Sequence, residues 1–220
     1  MAADAPTRTP SRWNGLSPEE RQRERRRLLV DAAYELLATE GSAGTTVRAV
    51  CAHARLNPRY FYESFTDLDE LVVAVYDDVF RQLQRRIAAA VAAARDDDEA
   101  MYASVEATVR FVDEDRRRGR ILYVEALGNE ALNRRRVQNG TGLIDLVQQD
   151  HSRRDGDTHD PRIGRLGAAV LVGGFTELLV AWLDDRIQLS ADELIADATE
   201  VFLATRDATR RLHARQATPS

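Results

Sequence analysis

A chain of 220 residues with 44% hydrophobic content and a formal net charge of −5 can bury a sizeable core and is too apolar for global disorder. Its single cysteine, Cys51, excludes an intramolecular disulfide and a multi-cysteine metal site. No apolar run approaches the roughly 18 residues of a membrane span and the N-terminus lacks the apolar centre of a signal peptide, so a cytoplasmic protein with no membrane partner is expected.

The predicted elements are all helical. Residues 1–17 are polar and contain Pro, Ser and Thr, which predicts a disordered arm. Ser17-Pro18-Glu19-Glu20 has the order of a helix start, with serine as cap, proline first and acids in the first turn. The helix that follows puts Leu28, Leu29, Ala32, Ala33, Leu36 and Leu37 on one face and ends at Gly41. Thr46 caps a short second helix with Val47, Val50, Cys51 and Ala54 at helical spacing, and Asn57-Pro58 opens a third. Asp67-x-x-Glu70 resembles a capping box for a fourth helix, striped by Leu71, Val75, Val79 and Leu83. Further helices are predicted around 100–116, twice within 119–150, at 162–186 and, after the Ser190-x-x-Glu193 box, at 191–213. The run HSRRDGDTHDP (151–161) reads as an exposed loop, and 214–220 as a disordered tail.

Charge is unevenly distributed. Residues 1–63 hold ten arginines against eight acids, and the remainder carries −7. No acid occurs between Glu40 and Glu63, where Arg48, Arg55 and Arg59 stand, and RQRERRR (21–27) lies just upstream. All 31 basic residues are arginine, whose planar fork suits phosphate and base edges. A basic front on an acidic body, with two short helices separated by a tight turn, is the pattern of a helix-turn-helix nucleic-acid reader. The helix at 57–64 is then expected to enter the major groove. Asn57, Pro58, Arg59, Tyr60 and Tyr62 stand as contacts, with Thr46 and Arg48 at the start of the supporting helix. Phe61 and Phe65, four residues apart, should face inward against Leu36, Leu37 and Val50.

At these residues the chain resembles the tetracycline-repressor (TetR) family. RRLLVDAAYELLATEGSAGTTVRAVCAHARLNPRYFYESFTDLDELVVAV carries an Ala-Ala helix ending in Glu-Gly, a Thr-Thr-Val start and Leu-Asn-x-x-x-Phe-Tyr-x-x-Phe. The likeness covers about residues 24–76 and persists only in outline beyond. It implies a homodimer that binds a palindromic double-stranded operator and releases it when a small molecule enters the C-terminal domain. Two positions depart from the pattern: Arg55 stands where the family usually has a turn glycine, and Leu68 where it usually has a phosphate-contacting lysine. Arg55 joins the DNA-binding set as an added charge in a position that strains a side chain.

The expected organisation is an arm (1–17), a helix-turn-helix domain (18–68), a helical effector-binding and dimerisation domain (69–213) and a tail (214–220). Small residues beside large ones on the helices at 162–186 and 191–213 suit a two-fold four-helix interface. Tyr102, Phe111, Tyr123, Glu125, Phe175, Glu177 and Trp182 are candidate effector contacts, because aromatic and acidic residues recur there on otherwise apolar helices. His151, Asp155, Asp157, His159 and Asp160 have metal-capable side chains but no helical ligand spacing, so no metal and no cofactor are expected. No GxSxG, HExxH, phosphate-loop or dinucleotide fingerprint occurs, and no catalytic residues are assigned. The function expected is ligand-responsive transcriptional repression; the alternatives are an activator of the same fold or, from another class, a helical enzyme or protein-binding adaptor.

Overall fold

In the computed structural model, which describes residues 17–155 and 161–217, every regular element is helical. The order is α1 (Pro18–Gly44), α2 (Val47–Ala54), α3 (Pro58–Tyr62), α4 (Leu68–Ala92), α5 (Asp97–Asp113) and α6 (Arg116–Gly119). A π-helical turn (Arg120–Val124) follows, then α7 (Glu125–Gly128), α8 (Glu130–Asp155), α9 (Pro161–Leu183) and α10 (Ala191–Ala217). Residues 1–16 of the expected arm and 218–220 of the expected tail lie outside the described residues, and α10 takes in 214–217. The stretch read as a loop at 151–161 is divided: 151–155 continue α8, and 156–160 lie outside the described residues.

The helix starts follow from short-range capping. Ser17 and Glu20 form a reciprocal capping box, and Thr46, Asn57, Asp67 and Asp96 each accept a backbone N–H from the first turn they precede. At α4 the box is displaced by one residue. Asp67 accepts from the Glu70 N–H, but the Glu70 carboxylate reaches back to Thr66, taking its N–H at 2.7 Å and its hydroxyl at 2.9 Å. At α1 the helical φ/ψ break at Gly41 (φ 69°, ψ −175°), although the turn continues to Gly44.

Two apolar clusters form the core. The first collects Leu29, Leu37 and Val50 with Phe61 and Phe65, then runs along α4 through Val72, Val75 and Leu83 to Ile121, Leu122 and Leu132. The second joins Val105 and Val109 of α5 to Leu179 and Trp182 of α9 and Leu194 and Phe202 of α10. Tyr123, in the π-helical turn, packs against both. Arg206 on α10 is buried and binds Asp98, at the start of α5, at 2.7 Å. α9 carries an apolar stretch that is long only when isolated charges are counted within it. Arg162–Leu183, 22 residues, is long and apolar enough to cross a membrane by length and composition, because isolated Arg165 and Glu177 interrupt the run without lowering its average. A third of its most apolar 18-residue window is buried, and Leu166 and Val170 are exposed.

A polar seam fastens α1 to the helices that follow α5. Tyr34 donates to Asp115 at 2.9 Å; Arg117 clasps Asp115 and also reaches Glu35 at 2.8 Å. Arg117 holds the Asp115 carboxyl below its ordinary range, while burial pushes the Tyr34 hydroxyl up to about 12. At the other end of the seam Glu125 accepts the Ser42 N–H at 2.9 Å and the Ser42 hydroxyl at 3.3 Å. A Cβ on Gly41 would stand 3.1 Å from the Glu125 carboxylate, and the Gly41 dihedrals fall in a region essentially restricted to glycine. Gly41→Ala is expected to destabilise the protein by about 2 kcal/mol in urea unfolding.

Candidate nucleic-acid interface

The surface formed by α2 and α3 is built around a helix too short to hold itself. α3 has five residues, and Phe61, the fourth of them, is fully buried, with 0% exposure. The Phe61 ring meets Tyr62 edge-on at 5.2 Å and Phe65 at 5.9 Å. Two arginines from the basic run of α1 close over the same segment: the Arg25 guanidinium lies 4.6 Å from the Tyr60 ring centroid, and Arg26 lies 4.6 Å from that of Phe65. Arg27 is bound within its own helix to Glu24 and Asp31. Much of the basic run therefore clamps α3 or pairs locally.

The sequence-predicted contacts divide by exposure. Thr46, Arg48, Arg55, Asn57, Pro58, Arg59 and Tyr62 are exposed, and together they occupy the first turns and the connection of α2 and α3. Tyr60 is half-buried under Arg25, whereas Tyr62 is 64% exposed, so Tyr62 is the more outward of the two tyrosines expected as contacts. Arg59 is 82% exposed in its side chain and rests on Glu63 through a 2.9 Å ion pair; Arg25 approaches the same carboxylate at 3.5 Å. Asn57 spends its Oδ1 on the Arg59 N–H, which leaves its amide NH₂ for a ligand. Thr46 spends its hydroxyl oxygen on the Ala49 N–H at 3.1 Å.

Arg55 closes α2 in the left-handed conformation (φ 53°, ψ 44°), and Leu56 N–H returns to Cys51 O at 2.9 Å. A side chain pays a steric cost there that glycine does not. Cys51 is buried, and burial pushes its thiol pKa up, away from nucleophilic reactivity.

Of the seven residues expected to contact an effector, Tyr123, Phe175 and Trp182 share the second apolar cluster, and Tyr123 also packs against the first, which holds Phe111. Glu125 sits at the seam on Ser42, and Glu177 is 71% exposed beside Arg186. Trp182 donates its indole N–H to Leu189 O at 2.8 Å, and Arg116 covers its ring. Phe175 packs edge-on against Phe202, Phe111 is buried beneath Arg118, and Tyr102 is exposed. Tyr123 lies near Tyr76 of α4, which in turn lies near the α8 residues Arg136 and Asn139. These three were missed: Tyr76 interrupts an apolar stripe, and Arg136 stands in an RRR run that reads as solvated surface. Two open clefts lie elsewhere, one of about 420 Å³ beside Tyr34, His53 and Arg55, the other of about 550 Å³ beside Arg116 and Trp182. No group of three or more metal-capable side chains occurs among the described residues.

Residues 29–75 match the family described as bacterial regulatory proteins, tetR family. Over the whole fold the chain is similar to the fatty acid degradation regulator FadR from Bacillus halodurans, with 16% identity and a TM-score of 0.68 over 81% of this chain and 94% of that one. It is similar to a TetR-like transcriptional regulator from Rhodococcus sp. RHA1, at 19% identity and a TM-score of 0.63, covering 81% and 93%. A multidrug binding protein, EbrR, solved with imidazole, matches at 25% identity and a TM-score of 0.60, covering 82% and 94%. These likenesses extend the agreement from the α2–α3 unit to the arrangement of the helices behind it.

Replacing Arg55 with glycine relieves the left-handed strain at the cost of a more flexible unfolded chain. Arg55→Gly is expected to raise stability by about 0.5–1 kcal/mol in chemical denaturation, while removing one exposed positive charge.

Proposed function

Because the chain belongs to the tetR family of bacterial regulatory proteins, we propose that it is a homodimeric repressor that grips a palindromic operator through α3 and lets go when a small molecule enters the helical body. Family membership makes it a DNA-binding regulator and not an enzyme. The observation that carries the proposal is the exposed polar rim on a buried aromatic mount: Asn57, Arg59 and Tyr62 project from a five-residue helix whose Phe61 is sunk in the core. Arg59 forks onto a base edge once it leaves Glu63, a surface pair worth at most about 1 kcal/mol. Arg48 and Arg55 supply phosphate attraction on either side, and Thr46 presents the first turn of α2 to the same backbone.

The dimer is supported by the far side of the body. Leu166 and Val170 on α9 and Val201 and Leu212 on α10 are exposed apolar residues on neighbouring helices, and Gly173 and Gly174 leave open space for close approach. A second copy related by a two-fold axis covers this face and sets two α3 helices about one DNA turn apart, ~34 Å. A small-molecule effector is supported by the same fold serving a fatty acid degradation regulator and a multidrug binding protein.

Selection of bound fragments from genomic DNA identifies the operator, and a promoter fusion fixes the sign of regulation, with expression rising when the protein is deleted. Arg59→Ala is expected to weaken binding to the selected operator about tenfold or more in fluorescence anisotropy and to relax preference at one base pair of each half-site. Unchanged affinity and preference would show that α3 is not the reading element. Val201→Asp is expected to give a monomer in sedimentation velocity at micromolar concentration, and with it a loss of cooperative operator binding.

A further inference from the structure

The interior of the body holds a polar cluster that none of the roles above uses. Tyr76 on α4 is 2% exposed and stacks on Phe80 with ring centroids 6.1 Å apart. It lies near Arg136 and Asn139 of α8, and Tyr123 packs against the same apolar cluster. The three-residue spacing of Arg136 and Asn139 puts both on one face of α8.

The donors of this cluster outnumber its acceptors. Arg136 gives one NH₂ hydrogen to the neutral Asn133 Oδ1 at 2.9 Å. Its Nε is buried and makes no hydrogen bond, and the buried Asn139 Nδ2 makes none of ordinary geometry, although the amide faces Tyr76. The acid beside Tyr76, Asp77, is taken by Arg135 through two bonds of 2.6 and 2.8 Å. Among the described residues no carboxylate pairs with Arg136. Burial holds the Tyr76 hydroxyl up to about 12 and raises Tyr123 as well, so both remain protonated donors near neutral pH. A buried guanidinium donor and a buried amide donor without acceptors each carry a desolvation cost that a ligand can remove.

The surroundings fix the rest of that ligand. Val72, Val75, Val79 and Leu83 of α4, Ile121 of the π-helical turn and Leu132 of α8 belong to the same apolar cluster as Tyr76. A small hydrated anion such as chloride or phosphate would satisfy the donors and leave this apolar wall unused. Tyr123 reaches the cluster from a turn in which the Glu125 N–H bonds to Arg120 O, one residue wider than an α-helix. Such π-bulges recur at functional sites. Acids with two acceptor oxygens match the planar donor set of arginine plus amide.

We propose that Tyr76, Tyr123, Arg136 and Asn139 form the head-group subsite for an effector that carries a carboxylate on an otherwise apolar body. This rests on the regulator reading above, in which the body takes a small molecule, and it names the chemistry of that molecule. The carboxylate bridges Arg136 and Asn139, the two tyrosine hydroxyls donate to its remaining lone pairs, and the apolar part lies against α4 and the π-helical turn.

The test titrates the full chain by calorimetry near pH 7.5 with three probes of equal length: decanoate, decan-1-ol and decylammonium. Decanoate is expected to bind about tenfold or more tightly than the alcohol, with the cation weakest. Arg136→Gln is expected to abolish that preference while the alcohol still binds. Tyr76→Phe, which keeps the ring, is expected to weaken decanoate severalfold and serves if the arginine variant does not fold. Equal affinity for acid and alcohol, binding of none of the three, or undiminished decanoate affinity in the folded variants overturns the proposal. A parallel titration of the wild type with its selected operator separates the two readings. Selective operator binding without preference for decanoate sinks the carboxylate subsite alone; absence of selective DNA binding sinks the regulator reading beneath it.

Discussion

Everything the N-terminal unit can do depends on burying Phe61. A helix of five residues closes barely one turn, far below the length at which helices persist alone in water. Its position is therefore set by side chains. Phe61 enters the core among Leu29, Leu37 and Val50, a burial worth roughly 2–3 kcal/mol. Phe65 enters beside it, and Asn57 and Pro58 determine where the first turn begins. Arg25 and Arg26 then cover Tyr60 and Phe65 from α1. The outward residues inherit a rigid mount from interactions they take no part in, which is what precise presentation to a groove requires.

The same core gives the two halves of the protein a mechanical connection. α4 contributes Val72 and Val75 to the cluster that holds Phe61, and Tyr76 to the polar interior behind it. Tyr76 therefore shares a helix with residues that form the mount of α3. The seam works in parallel: Glu125 holds Ser42 one residue beyond the Gly41 break, directly following the turn that carries Tyr123. Both routes join the interior of the body to the elements that position α3 through direct packing and hydrogen bonds.

Charge is used differently in the two regions. In the body, acids and arginines pair across helices, as in Arg86–Glu114, Arg135–Asp77 and Arg206–Asp98. On the α2–α3 face Arg48 and Arg55 stay exposed, and the pairing that exists there, Arg59–Glu63, is a solvent-exposed one. Arg136, half-buried with its Nε out of reach of water, pairs with no carboxylate among the described residues. The net negative charge of the whole chain conceals this division.

What the sequence determined by itself was everything that acts within about one helical turn. The caps at Ser17, Thr46, Asn57 and Asp67, the inward pair Phe61 and Phe65, and the awkward backbone at Arg55 all follow from interactions between residues at most four apart. The all-helical class follows from the same local periods. Tertiary structure alone decided which side chains meet across helices. Nothing near Tyr60 announces that Arg25 will cover it while Tyr62 stays in solvent. Glu125 resembled a pocket acid until the fold brought it to Ser42, 83 residues away. Arg136 resembled one of three solvated arginines until α8 packed on α4 and its Nε lost contact with water. Burial and hydrogen bonding between distant segments have no local period, so they become legible only when the helices are in place.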